Sequence, residues 1–114
     1  MALSNLTENE SEVVFQCLRC VATGEVILND WEFRTVFGIE FQTLVDIVSC
    51  LPSIDESREE VRLAINNSLN NLLGYPHRRE SLWNNYISVP QQEVARILAK
   101  WRGAPIGRYF EGVE

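Results

Sequence analysis

The sequence predicts an all-α fold of about six helices, and three observations carry that expectation. Apolar residues recur at helical spacing in several segments, helix-starting and helix-ending residues punctuate those segments, and strand-like runs are short. Composition agrees with a packed domain. With 114 residues, 46% of them hydrophobic and 23% charged, the chain is neither disordered nor collagen-like and supports one core. That length argues for a single domain over residues 1–114 and against a two-lobed enzyme with an interdomain cleft.

Each helix has its own local cause. Thr7 and Glu10 stand at capping-box spacing, where the hydroxyl and the carboxylate each satisfy a backbone N–H left over at a helix start. Val13, Val14, Cys17, Leu18 and Val21 then form one apolar stripe, and Gly24 offers a left-handed terminator. Asn29 or Asp30 caps a short helix from Trp31 to Phe37, ended by Gly38. Phe41, Leu44, Ile47, Val48 and Leu51 share one face of a third helix, which Pro52 stops. The second half opens on Ser57 and Glu60, again at capping-box spacing. Val61, Ala64, Ile65, Leu69, Leu72 and Leu73 follow, with Gly74 as the terminator. A short helix spans Leu82 to Ile87. Ser88 and Pro90 open the last one, with Val94, Ile97, Leu98 and Trp101 inward and Gly103 at its end. The stretches Glu25–Leu28 and Ile106–Phe110 are the best strand candidates, and neither is long enough to found a sheet.

The two halves overlay with a shift of fifty residues, pairing Thr7 with Ser57, Gly24 with Gly74, Phe37 with Ile87 and Ile47 with Ile97. Identity is near chance; the agreement lies in caps, terminators and apolar phase. The expectation is two three-helix units, residues 7–51 and 57–101, packed around one core, with a C-terminal tail at 103–114.

Charge is unevenly spread. The net charge is −6, yet the first sixty residues hold twelve acids against three bases, whereas the rest hold seven bases against four acids. Nucleic-acid affinity rests on phosphate neutralisation by Lys and Arg, so the acidic half would repel DNA or RNA. A helix-turn-helix reading of Trp31–Leu51 fails on the same ground, because its second helix offers Glu40, Gln42, Thr43 and Asp46. The basic last helix, with Arg96, Lys100 and Arg102, gives a slim footprint. No apolar run approaches the roughly 20 residues of a membrane span. The polar, acidic N-terminus reverses the order of a signal peptide. Three cysteines fit a reducing compartment, so a cytoplasmic location is expected.

Catalytic patterns are scarce. Cys17-Leu-Arg-Cys20, with Cys50 and His77, could supply four zinc ligands, but Cys17 lies in the apolar stripe and buried thiols explain the pattern better. His77, the single histidine, stands near no recognised nucleophile. Neither a phosphate loop, an H-E-x-x-H nor a G-x-S-x-G occurs. Asp55, Glu56, Glu59 and Glu60 cluster where a helix dipole favours negative charge, and therefore suit a solvated cap better than acid–base chemistry. An enzyme is not expected, and no cofactor or metal is assigned. Asn66, Asn67, Asn70 and Asn71 are poor helix formers grouped on one helix, which calls for a tertiary compensation: bonds to loop backbones such as Gly74–Arg79 or Glu25–Asn29, or else an exposed polar binding face.

Trp31-Glu-Phe-Arg-Thr-Val-Phe-Gly38 and Leu69-Asn-Asn-Leu-Leu-Gly-Tyr-Pro-His77 resemble a pattern of small, single-domain, all-helical bacterial proteins, a likeness running from Glu10 to Trp101 that brings no activity with it. In size, acidity, helical content and lack of catalytic motifs the chain also resembles the immunity proteins of bacterial toxin systems, including contact-dependent growth inhibition. That resemblance implies stoichiometric binding to a toxin domain, typically a basic, nuclease-like one. Glu8, Glu10, Glu12, Asp55, Glu56, Glu59 and Glu60 would then steer encounter and pair with the toxin's Lys and Arg, with Trp31 and Tyr75 as aromatic anchors. The alternative is a structural or regulatory helical protein, homodimeric or with a non-toxin partner.

Overall fold

The computed structural model describes residues 3–24, 30–74 and 80–103. Among these, a 3-10 turn (Leu3–Asn5) leads into six α-helices: α1 (Glu8–Ala22), α2 (Asp30–Phe37), α3 (Phe41–Ser49), α4 (Glu59–Gly74), α5 (Glu80–Tyr86) and α6 (Gln91–Trp101). No strand occurs among the described residues. The strand candidates, Glu25–Leu28 and Ile106–Phe110, lie outside them, as do Asn29, Tyr75 and His77.

The two longest helices, α1 and α4, pack on each other and receive all the rest. α1 also contacts α3, α5 and α6; α4 also contacts α2, α3 and α6. The second helix of each half thus lies on the first helix of the other half: α2 covers α4, and α5 covers α1. Neither half could bury its apolar stripe alone, which ties both to one core. Val14, Leu18 and Val21 of α1 meet the same fate as Ile65, Leu69 and Leu72 of α4, all 1% exposed or less. Phe33 and Phe37 stack at 4.1 Å between ring centroids, and Phe41 meets Phe33 edge-on at 5.2 Å. Each such pair adds about 1 kcal/mol beyond area burial.

These buried sets refine the fifty-residue register. Phe37 and Ile87, Leu44 and Val94, and Ile47 and Ile97 keep it, but the stripe of α1 recurs on α4 fifty-one residues later, as Val14/Ile65 and Leu18/Leu69 show. The extra residue undoes one expected cap. Thr7 forms its capping box, with its hydroxyl accepting from the Glu10 N–H and Glu10 accepting from the Thr7 N–H at 2.8 Å. On α4 the corresponding positions hold Arg58 and Val61, and Ser57 stands too early. Its N–H and hydroxyl both donate to Asp55 Oδ1, closing a local turn before the helix begins at Glu59.

Other boundaries shift for similarly local reasons. α3 ends at Ser49, and Leu51 closes a turn onto the Val48 carbonyl in place of continuing the helix. α5 starts at Glu80, before the expected Leu82, and ends at Tyr86. Ser88 does not cap α6; its N–H and hydroxyl both donate to Gln16 Oε1, and Pro90 takes the position before the helix.

Gly24 and Gly38 adopt the left-handed conformation, φ +80° and +72°, where a Cβ is strained whatever the space. Gly74 does not: it is the last residue of α4, its φ is not in that region, and an added Cβ would meet nothing within 4 Å. The two glycines should therefore respond with opposite sign. Gly38→Ala should lower stability by about 1 kcal/mol, whereas Gly74→Ala should raise it by a few tenths, roughly 0.5 kcal/mol at most. Urea unfolding of both variants checks this, and loss of stability in both would contradict the conformation of Gly74.

Candidate acidic interface

The seven acids expected on one surface divide into two groups. Glu10 is not on the surface. It is 7% exposed on α1, where Lys100 Nζ donates to Oε1 and Arg96 Nη2 to Oε2, each at 2.7 Å. Arg96 also pairs with Glu93 one turn earlier on α6. The Lys100 ammonium, followed by the Thr7 N–H and the Arg96 guanidinium, holds the Glu10 carboxyl down to about 2 against the opposing effect of burial. This carboxylate serves α1–α6 packing and is withdrawn from any partner. It also occupies two of the three cations in and just after α6 that suggested a basic patch. The third, Arg102, donates through Nε and Nη2 to Asn66 Oδ1.

Glu56 is likewise committed within the chain. Its carboxylate accepts from the Leu3 N–H at 2.9 and 3.1 Å and from the Trp101 indole N–H at 2.9 Å. Trp101 is fully buried, so its one polar atom needs an internal acceptor, and half-buried Glu56 supplies it. The contact brings the segment before α1, the segment before α4 and the end of α6 to the same end of the molecule.

Glu8, Glu12, Asp55, Glu59 and Glu60 remain exposed. Glu12 pairs with Arg19 at 3.0 Å and Glu60 with Arg58 at 2.9 Å, both across solvent-exposed geometry that adds little stability. Glu8, Asp55 and Glu59 have no ion pair within 4.0 Å among the described residues. The Ser57 hydroxyl, and then its N–H, hold the Asp55 carboxyl below the usual range.

Two of these acids open onto a cleft that the sequence did not suggest. Between the end of α3, the 50–58 connection and the start of α4 lies a cavity of about 270 Å³. Ile47, Ile54 and Val61 give it apolar walls; Asp46, Asp55 and Glu60 bring carboxylates to it, and Arg58 one cation. Asp46 Oδ1 accepts from Gln42 Nε2 at 2.9 Å, and Asp55 Oδ1 serves Ser57, so the second oxygen of each carboxylate has no protein partner among the described residues. A shallower groove of about 520 Å³ lies beside Glu59, Arg62, Leu63, Asn66 and Arg102.

Trp31 is 68% exposed on α2, as an aromatic anchor must be, whereas Tyr75 lies outside the described residues. Asn66 and Asn67 are bonded inside the fold, while the loops expected as acceptors, 25–29 and 75–79, lie outside the described residues. Asn67 Nδ2 donates to the Phe37 carbonyl at 2.9 Å, closing the α2–α3 junction, and Asn66 Nδ2 donates to Asn67 Oδ1. Asn71 is 5% exposed and its Oδ1, like Ser68 Oγ, is buried without a hydrogen-bond partner among the described residues.

Cys17 and Cys20 are buried on α1, Cys50 is exposed, and none of the three is in a disulfide. Burial, with a smaller effect from Cys20, pushes the Cys17 thiol up and leaves it a poor nucleophile and metal ligand. Among the described residues no group of three or more His, Cys, Asp or Glu is placed to hold a metal, and no helix is long and apolar enough to cross a membrane. No protein-family model, curated protein or solved structure matches the chain.

Two outcomes follow. Glu10→Gln should cost roughly 2 kcal/mol at pH 7, allowing for solvent screening of the half-exposed cations. Because the folded-state value lies below the ordinary 4.5, this stabilisation is present above that pH and fades as pH falls towards 2. Denaturant titrations of both proteins across that window measure the closing gap. A thiol reagent should modify Cys50 rapidly in the folded protein and reach Cys17 and Cys20 only on unfolding, as mass mapping of labelled peptides would show.

Proposed function

We propose that the protein is a non-catalytic binding protein, of the immunity type, that neutralises a basic toxin domain by covering its active site or substrate groove. The supporting observation is the division of its acids: Glu10 and Glu56 are bonded inside the fold, while Glu8, Asp55 and Glu59 stand exposed with no ion pair among the described residues. Such charges contribute little to folding. Facing a partner's Lys and Arg, they would accelerate encounter and select against acidic partners. Glu12 and Glu60 would join them by exchanging an exposed arginine for the partner's cation. Trp31 would provide a large, partly desolvated contact of the kind that dominates interface energetics. The reading places the protein in the bacterial cytoplasm, and the buried thiols of Cys17 and Cys20 suit a reducing compartment. A like-charged second copy is the poorer occupant of this face.

Affinity capture from the source lysate at low and high salt tests the reading. The expected catch is one basic partner in near-equal amount, released by salt. With that partner in hand, the combined E8Q, D55N, E59Q and E60Q variant should associate about tenfold more slowly at low ionic strength and lose most of its salt dependence. An association rate that charge removal leaves unchanged would eliminate this mechanism.

A further inference from the structure

We propose that the cleft between α3 and α4 is a receptor for one cationic side chain, an arginine or lysine of the protein partner. This rests on the binding role above and deepens it to a particular residue contact. The internal pairing of the two halves provides the template. Asp46 of α3 and Cys50, its C-terminal cap, occupy the register positions of Arg96 and Lys100 of α6, and Val61 of α4 occupies that of Glu10 of α1. At the α1–α6 seam, therefore, two long cationic chains reach across to a buried carboxylate. At the α3–α4 seam, three shorter side chains stand at the same places, and a cavity of about 270 Å³ remains.

Sign and shape point to the same ligand. The α3 side carries a carboxylate where α6 carries a guanidinium, so the complement is a cation supplied from outside. Ile47, Ile54 and Val61 offer apolar wall to an aliphatic stem, and Asp46, Asp55 and Glu60 meet its charged head. The second oxygens of Asp46 and Asp55 have no donor among the described residues, and the exposed Arg58–Glu60 pair can open without uncovering a buried charge. Lysine and arginine combine stem and head in this order. A free metal ion would not use the apolar walls, and the carboxylates are not grouped for one.

Amide NMR of the full-length protein, titrated with N-acetyl-arginine amide, its lysine counterpart and the neutral citrulline analogue, tests the inference. Saturable shifts at residues 46–61 with either cation, and none with citrulline, are expected. D46N/D55N keeps the Oδ1 acceptors that Gln42 and Ser57 use, so the fold should persist while affinity falls at least about fivefold. Cys50→Lys, which returns to α3 the ammonium that α6 carries, should abolish the cation response. Equal shifts with citrulline, shifts scattered over Glu8 and Glu12 as well, or full binding by D46N/D55N would each overturn the proposal. The two readings fail separately. A captured partner that D46N/D55N still binds at full affinity refutes the cleft alone, while a saturable arginine response with no partner recovered refutes the immunity role alone.

Discussion

The pairing of α1 with α4 is the constraint on which the rest of the molecule depends. Each is the longest helix of its half, and each presents a stripe wider than its own half can cover. Exchange of cover, α2 onto α4 and α5 onto α1, solves this without lengthening the chain. The consequence is cooperativity: removing either half exposes the stripe of the other, so the two units are one folding domain. α6 then closes the assembly with two different devices. Lys100 and Arg96 reach Glu10 through polar contacts, and Trp101 is buried in the core with its indole N–H on Glu56.

Apolar phase made most of this legible in sequence, because a helix that must bury a stripe advertises it every three to four residues. The stripe of α1, the Thr7–Glu10 box, the left-handed Gly24 and Gly38, and the inward faces of α3 and α6 could all be read directly. What failed were features that depend on one residue more or less. The Ser57–Glu60 pair has capping-box spacing, but the helix starts one residue later than the overlay assumes, and Asp55 captures Ser57 first. Single-residue phase at a helix start is a tertiary decision, made here by the need to keep Ile65, Leu69 and Leu72 inward.

The candidate interface was legible as a region and not as a list. A tally of acids shows that the first half is negative but cannot say which carboxylates are already employed. Glu10 carried a warning, since the third position of a capping box often turns back onto the protein; the eighty-six residues that separate it from Arg96 hid the rest. Glu56 gave a fainter sign, through Trp101, whose indole N–H requires an acceptor wherever the ring is buried. Asp46 gave none, because the cleft it borders exists only once α3 and α4 are brought together. A helix that tolerates four mediocre formers gains something elsewhere, and Asn67 bonding the Phe37 carbonyl is part of that gain.

The disposition of charge follows from where desolvation is tolerable. A carboxylate buried without cations would be protonated or expelled, so Glu10 is kept inside only because two cations and the Thr7 N–H meet it there. Surface acids face no such requirement: among the described residues Glu8 and Glu59 have no ion pair, and arginines pair with Glu12 and Glu60. The two corresponding seams between the halves differ accordingly. Where α6 supplies cations, they close onto Glu10; where α3 supplies a carboxylate, the corresponding gap stays open with three carboxylates and one cation beside it. One helical plan, laid down twice, thus carries opposite charge at its two corresponding seams, one tied by internal ion pairs and the other left open.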